Sequence, residues 1–488
     1  MDLQTQHYDV VRPDPESLLQ SARSFGYSIE TAIADLIDNS ITAKSSKIQI
    51  SYGIDLYSSF VRIEDNGTGM NEAGLLKAMK VGSFNPLAKR NEEDLGRFGL
   101  GLKTASFSQC RRLTVKTRDK SGKEFIRCWD LDLVAKEKDW VLLRTCADKN
   151  SENNIGKFAE PGSGTIILWE KLDRLVESLD SNADKEHFYR KFDNVRKHLG
   201  LVFHRYIESS AISISILGNE LEPINPFNIS KKFPSTELAE EQLSINEQHI
   251  QIQPYILPHE SKLLDRDHKN VEIIRGWTEH QGIFLYRNKR LISDGTWLDL
   301  DFKKKDSQRL CRIRIDIPNT LDQEWQIDVK KASAKIPDII RKRVKNICLT
   351  SIDKAIKVYT HRGAYIRRKG EKKEITYLWM AKQKQGKKYY ELNKAHPIYQ
   401  LINEYLDENA YVFNDYMKLI GETLPVNIIV SDFADPSTVM KDFFEDSKDD
   451  LKKIYQNMLN ALTDAGIPEI EAREKVNGLE CFQQLNSI

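Results

Sequence analysis

Ser28-Ile29-Glu30-Thr31-Ala32-Ile33-Ala34-Asp35-Leu36-Ile37-Asp38-Asn39-Ser40-Ile41 is the stretch around which the rest of the chain falls into place. Ser28 predicts an N-cap, its hydroxyl accepting from a backbone N–H of the first turn, and Glu30 sets an acid where the helix dipole favours it. At 3.6 residues per turn, Ile29, Ile33, Leu36, Ile37 and Ile41 share one face, with Thr31, Asp35, Asp38, Asn39 and Thr42 on the other. Asp35 and Asn39, four apart, stack one above the other. Two readings of such a helix stand. One is a surface helix with a solvated acidic face. The other is a carrier that sets a carboxylate beside an amide oxygen, a pair able to activate a water and to help hold Mg2+, a hard cation that prefers oxygen.

Downstream, the alternating runs Lys47-Ile48-Gln49-Ile50-Ser51-Tyr52 and Phe60-Val61-Arg62-Ile63-Glu64 predict half-buried strands, and residues 71–80 a helix. The second strand exits into Asp65-Asn66-Gly67-Thr68-Gly69-Met70. By itself this is ordinary turn chemistry. A carboxylate at a strand exit can also accept a hydrogen bond from an exocyclic amine such as that of adenine, and the glycines let backbone approach a flat ring without a Cβ clash. A second loop, Gly96-Arg97-Phe98-Gly99-Leu100-Gly101-Leu102-Lys103-Thr104-Ala105-Ser106, leads into a helix, with Lys103 offering a point charge to a phosphate. It is not a Walker A loop, because Leu102 follows Gly101 where lysine is required, nor is it G-x-G-x-x-G. Gly164-Thr165-Ile166-Ile167-Leu168-Trp169 predicts a further strand, and residues 183–207 one long connector helix.

In their order and spacing, Asp35…Asn39, Asp65-Asn66-Gly67-Thr68-Gly69, Gly99-Leu100-Gly101 and Gly164-Thr165 resemble the GHKL ATPases, the superfamily of gyrase B, the ninety-kilodalton heat-shock chaperones, histidine kinases and MutL. The phrases Ala32-Ile33-Ala34-Asp35-Leu36-Ile37-Asp38-Asn39-Ser40 and Gly99-Leu100-Gly101-Leu102-Lys103-Thr104 look most like its bacterial-type MORC and MutL branch. The resemblance covers roughly the first 175 residues. It implies an α+β chain opening with a Bergerat α/β sandwich, ATP lying between a mixed sheet and helices under a mobile lid that runs from Val81, Gly82 and Ser83 to Arg97. Carried over residue by residue, Asn39 coordinates Mg2+ and Asp65 binds the adenine amine. Gly67, Gly69 and Met70 border the base with Ala43 and Thr165 nearby. Gly99, Leu100, Gly101, Leu102, Lys103 and Thr104 wrap the phosphates. The family has glutamate where this chain has Asp35, the residue that orients or deprotonates the attacking water. Aspartate is one methylene shorter, and a displacement of about 1 Å can cost on the order of a hundredfold in rate, so slow hydrolysis is expected.

A second α+β block is expected from about Ala211 to Thr350, with strands at Ile212-Ser213-Ile214-Ser215-Ile216, Gly282-Ile283-Phe284-Leu285-Tyr286 and Arg312-Ile313-Arg314-Ile315-Asp316. Its Tyr286-Arg287-Asn288-Lys289-Arg290-Leu291-Ile292 resembles the ribosomal S5-type transducer domain of MORC and MutL. There a loop lysine reaches back to the γ-phosphate, and in this chain the place for it is Trp325-Gln326-Ile327-Asp328-Val329-Lys330-Lys331. The sequence does not choose between Lys330 and Lys331, and both also suit exposed lysines of a turn. The expected domains are thus 1–175, the ATP-binding domain; 176–350, the transducer-like domain; and 351–488, a mainly helical domain of open role. In the last, ten basic residues against two acidic run from Arg362 to Lys388, interleaved with Tyr365, Tyr377, Trp379, Tyr389 and Tyr390. This pattern suits either DNA contact or a solvated face. Residues 432–480 carry twelve acidic and six basic residues. His396-Pro397 has no companions at metal-ligand spacing.

Of the 488 residues, 73 Lys and Arg stand against 72 Asp and Glu, a formal charge of +1 that excludes a wholly basic nucleic-acid coat. With 40% hydrophobic and 30% charged residues the chain is too apolar for a disordered protein. No apolar run approaches the roughly 18 residues a membrane span needs, and Met1-Asp2-Leu3-Gln4-Thr5-Gln6-His7 lacks a signal-peptide layout. Cys110, Cys128, Cys146, Cys311, Cys348 and Cys481 are scattered, as reduced thiols of a cytoplasmic protein are. The expectation is an ATP-binding, slowly hydrolysing clamp that dimerises on ATP and acts on DNA or on partner proteins of a restriction or defence system. The alternative is a non-hydrolysing nucleotide sensor or scaffold in a multi-protein assembly.

Overall fold

The computed structural model describes residues 13–24, 26–55, 59–82, 101–175, 182–230, 232–259, 263, 276–327, 334–360, 376–384, 387–407, 410–423, 448–479 and 482. The chain forms two compact units, Met1–Tyr365 and Ile366–Ile488.

The first unit opens with α1 (Pro15–Arg23), capped by Asp14, whose carboxylate accepts from the Ser17 N–H at 2.7 Å. α2 (Ile29–Thr42) starts at Ser28, whose hydroxyl accepts from the Thr31 N–H. β1 (Lys47–Gly53) and β2 (Phe60–Asp65) follow as an antiparallel pair, and then α3 (Glu72–Met79), capped by Asn71. α4 (Gly101–Phe107) leads into the hairpin of β3 (Arg112–Arg118) and β4 (Glu124–Asp130). α5 (Leu131–Glu137), α6 (Lys149–Ile155) and β5 (Gly164–Glu170) come next. Then α7 (Asn182–Val202) and α8 (His204–Glu208) precede β6 (Ser213–Ile216) and β7 (Asn219–Glu220).

These strands make one mixed sheet in the order β4-β3-β5-β2-β1-β6-β7, antiparallel throughout except where β6 joins β1 in parallel. β5 lies inside it and is buried along its whole length. Its alternation sends Ile167 and Trp169 into the main core with α2, α4 and α7, while Ile166 and Leu168 pack on Ile155 of α6.

Two expectations change here. Ile212-Ser213-Ile214-Ser215-Ile216, expected in the second block, instead pairs with β1, so the first sheet reaches past residue 175 to Glu220. Its alternation shows a strand but not which strand it joins. The single connector helix expected over residues 183–207 is two helices broken at Phe203 (φ −106°, ψ 12°), whose ring is wholly buried in the first core. Its burial there accompanies the bend.

The second sheet comprises β8 (Thr236–Glu237), β9 (Glu241–Ile245), β10 (Gln248–Ile256), β11 (Gly282–Arg287), β12 (Arg290–Thr296) and β13 (Cys311–Ile317), with the short helix α9 (Gly276–Glu279) before β11. Its order is β12-β11-β13-β10-β8, β9 pairing with β10, and β11 runs parallel to β13. α10 (Asp338–Thr360) packs Ile340, Val344, Ile347 and Cys348 against Ile252, Ile283, Leu285, Ile313 and Ile315. The opposite face sets Tyr255, Phe284, Tyr286 and Leu291 against Phe227 and against Leu201 of α7, and so joins the two sheets.

The second unit holds the hairpin of β14 (Trp379–Lys384) and β15 (Lys387–Leu392), then α11 (Pro397–Leu406), α12 (Ala410–Glu422), α13 (Lys448–Asp464) and α14 (Glu469–Asn477). Its core is Leu451, Leu459, Leu462, Ala472, Val476, Leu479 and Phe482. His396 is the N-cap of α11, its Nδ1 accepting from the Ile398 N–H at 3.3 Å. Among the described residues no helix is long and apolar enough to cross a membrane, and Cys110, Cys128, Cys146, Cys311 and Cys348 are free thiols.

Candidate functional site

α2 is not a surface helix. Asp35 and Asp38 are buried along with Ile33, Leu36 and Ile37, so its apolar face and both aspartates of its polar face are covered. Burying carboxylates is costly unless donors meet them, and here donors do. The Tyr27 hydroxyl donates to Asp35 Oδ2 at 3.1 Å, and Tyr27 is itself held by Gln109 Nε2, which donates to its carbonyl at 2.9 Å. Arg290 of β12 donates from Nε to Asp38 at 3.2 Å, and its Nη2 stands 4.0 Å from Asp35 Oδ1.

One turn beyond Asp35, Asn39 is exposed on α2. Next to it the buried Ser40 hydroxyl donates to Asp65 Oδ2 at 3.0 Å, while the Gly67 N–H donates to Oδ1 at 2.9 Å. Burial pushes the Asp65 carboxyl up to about 6, although the Gly67 and Thr165 backbone and Ser40 pull the other way.

The turn after Asp65 is built on close approach. A Cβ at Gly67 would lie 2.8 Å from the Ala43 carbonyl oxygen, the same oxygen that accepts from the Thr68 N–H. Gly69 has φ +60°, and a Cβ there would meet the Arg118 carbonyl oxygen at 2.0 Å. Met70 donates its N–H to Thr117 Oγ1 at 2.8 Å, and Thr117 donates to the Gly164 carbonyl at 3.1 Å. Thr165 stands opposite Asp65 in the β2–β5 register, with its hydroxyl 3.4 Å from that of Thr117. Ala43, Asp65, Gly67, Gly69, Met70 and Thr165 are thus one cluster at the C-terminal end of α2.

A second cluster meets α2 at Asp35. A Cβ on Gly101, the first residue of α4, would lie 3.7 Å from Asp35 Oδ2. Leu102 is half-buried, and Lys103 and Thr104 are buried. The Lys103 Nζ donates to the Ala78 carbonyl near the C-terminal end of α3 at 2.8 Å, and burial pulls its ammonium down to about 8. Gly82, exposed with φ +70°, follows α3. One cluster is thus hydrogen-bonded to α2 at Ser40 and the other lies against it at Asp35, about 7.5 Å apart along its axis at 1.5 Å per residue.

Ser83, Gly99, Leu100, Lys330 and Lys331 lie outside the described residues, as does most of the expected lid. Sequence reasoning missed Tyr27, Ser40, Thr117 and Arg290 as neighbours of these carboxylates. Ser40 was signalled by adjacency to Asn39, and Thr117 by its alternation along β3. Nothing local marked Arg290, which lies 252 residues from Asp38.

Among the described residues no group of three or more His, Cys, Asp or Glu could hold a metal ion. The donors at the middle of α2 are instead hard oxygens, the exposed Asn39 amide beside the Asp35 carboxylate. These suit Mg2+, a cation that keeps waters and takes few protein ligands when it accompanies phosphates.

No curated protein matches the chain. A family model does, that of the "Histidine kinase-, DNA gyrase B-, and HSP90-like ATPase", over residues 27–165. That span begins at Tyr27, includes α2, the Asp65 turn and α4, and ends at Thr165, so it encloses both clusters. Residues 27–165 are a GHKL-type ATPase domain, of a class that binds ATP and hydrolyses it.

Proposed function

We propose that the chain is a nucleotide-driven clamp of the MORC and MutL type, in which ATP binding brings two chains together on DNA or on a DNA-processing or defence complex, and slow hydrolysis releases them. The observation that carries this is the seating of two clusters against α2. Asp65 at one end is suited to accept from the adenine amine, and Asp35 beside Gly101 at the other is suited to face the phosphates. Asp35 draws a proton from, or orients, the attacking water, with Tyr27 holding one of its oxygens. The Asn39 amide oxygen would hold Mg2+, which when bound offsets phosphate charge. Lys103 is positioned to leave the Ala78 carbonyl for a phosphate when the ligand enters. The second sheet serves as the transducer, and the basic, aromatic run from Arg362 to Lys388 serves as the DNA contact.

The test is ATP turnover with and without DNA, together with oligomeric mass with and without a non-hydrolysable ATP analogue. The expected results are loss of nucleotide binding in Asn39→Ala, loss of turnover with binding kept in Asp35→Asn, and a dimer that appears only with nucleotide. Unchanged turnover in both variants would defeat the proposal. The engagement of Asp35 by Tyr27, added to its short side chain, favours a second reading, a nucleotide sensor that scarcely hydrolyses. A large gain of turnover in Asp35→Glu, with a monomer at every nucleotide concentration, would select it.

A further inference from the structure

Arg290 belongs to the second sheet, yet the residue is only 4% exposed and its guanidinium lies against a helix of the first. Two of its edges are hydrogen-bonded and a third faces Asp35. Nη1 donates to the carbonyl of Leu291 on its own strand at 2.8 Å, Nε faces Asp38 at 3.2 Å, and Nη2 stands 4.0 Å from Asp35 Oδ1. With Nε on Asp38 and Nη1 on Leu291, the planar guanidinium cannot turn further toward Asp35 without leaving Asp38. Asp38 is wholly buried and needs a compensating charge, so it secures the arginine. Asp35 is the neighbour that the secured arginine then faces.

The place of Arg290 is set by the second sheet and not by α2. It follows the two-residue turn Asn288-Lys289, whose residues both have positive φ (49° and 69°), as a type I′ hairpin between β11 and β12 requires. The other shoulder of that turn, Arg287, is buried and grips Asp322 with Nε at 2.6 Å and Nη2 at 2.8 Å. The Asn288 N–H donates to the Ile317 carbonyl at 3.1 Å, and the Asn288 carbonyl accepts from the Tyr206 hydroxyl at 2.6 Å. The hairpin is therefore tied to β13, to the turn that follows it and to α8, and Arg290 projects from this fixed base to Asp35.

We propose that Arg290 is a positioning residue for Asp35, making ATP hydrolysis depend on the docking of the second sheet against α2. This rests on the assignment of Asp35 to the attacking water. Tyr27 holds Asp35 from within the ATPase domain and Arg290 from outside it, so the carboxylate takes its working orientation only when both domains are in register.

The experiment measures kcat, KM for ATP, direct nucleotide binding and melting temperature in full-length Arg290→Met, Arg290→Lys and the double variant Asp38→Asn/Arg290→Met, with Asp35→Asn as control. Lysine restores a charge beside Asp38 but cannot face Asp35 at the same time, and the double variant removes the buried charge together with its partner. Both are therefore expected to melt near the wild type while kcat falls on the order of 10- to 100-fold, with nucleotide binding within about twofold. A purely structural role predicts the opposite, recovery of kcat along with stability. Wild-type kcat in Arg290→Lys or in the double variant, with Asp35→Asn inactive, overturns this proposal alone. A wild-type chain that turns over no ATP, or whose turnover survives Asp35→Asn, overturns the assignment of Asp35 and this proposal with it.

Discussion

Asp65 shows how a single side chain can be tuned against the fold that carries it. Its carboxyl is raised to about 6, chiefly by burial, so the folded chain holds the proton more tightly than the unfolded chain does. A raised pKa contributes stability below the unfolded value, near 4, and that contribution is lost as pH climbs through 6. Recognition of an exocyclic amine runs the other way, because the amine donates and the ionised carboxylate is the better acceptor. Affinity for a non-hydrolysable ATP analogue is therefore expected to rise by about tenfold between pH 5 and pH 7, measured by calorimetry, while the melting temperature of the ligand-free chain does not rise over that interval. Asp65→Asn should bind the analogue on the order of 10- to 100-fold more weakly at pH 7 and flatten the affinity profile. A profile in Asp65→Asn parallel to the wild type would place the titrating group elsewhere. The identity of Asp65 was legible, since a carboxylate at a strand exit followed by spaced glycines carries its chemistry on its face. Its partners were less so. Ser40 and Thr117 are ordinary hydroxyls until the fold brings them within 3.0 Å of Asp65 and 2.8 Å of Met70.

Among the elements, α2 and the strands beside it could be read because their signals are local. Ser28 caps, the isoleucines repeat at helical spacing, and burial alternates as the residues do around Ile48 and Ile50 and around Val61 and Ile63. What could not be read is pairing. Strand β6 alternates as plainly as β1, but its parallel partner lies some 165 residues earlier, and neither residue pattern specifies the other. The glycines divide in the same way, since a glycine's spelling does not tell which carbonyl presses on it. A Cβ at Gly69 would sit 2.0 Å from the Arg118 carbonyl oxygen, and one at Gly164 would sit 2.4 Å from the Asp65 carbonyl oxygen. At Gly82 no atom of the described residues lies within 4 Å, and the φ of +70° opposes a side chain. Gly69→Ala and Gly164→Ala are therefore expected to destabilise the chain by about 3 kcal/mol or more, because backbone must move, and to weaken nucleotide binding through the displaced Asp65 turn. Gly82→Ala should cost about 1 kcal/mol. Denaturant melts of the three variants check this, and equal losses in all three would show that conformation rather than crowding governs these positions.

At the level of the whole molecule, the two sheets of the first unit share a core through Leu201 and Phe227 and are bonded through α8, whereas the second unit has its own apolar centre around Leu459, Leu462 and Phe482. A unit with its own core can in principle fold alone. A chain ending at Tyr365 keeps α2, the Asp65 turn, α4 and Arg290, and so keeps every group to which the ATPase reading assigns chemistry among the described residues. It loses all of the basic run from Arg362 to Lys388 except Arg362 itself. If that run neutralises phosphates, its removal should strip out the salt-dependent part of DNA binding while leaving the nucleotide chemistry in place. The expected outcome is ATP turnover within about threefold of the full chain in the absence of DNA. DNA affinity, measured by fluorescence anisotropy, should fall at least about tenfold at low salt, with a shallower dependence of log affinity on log salt. DNA binding that survives with its salt slope intact would move the contact into the first unit. Loss of basal turnover in a well-folded truncated chain would show instead that the second unit takes part in hydrolysis.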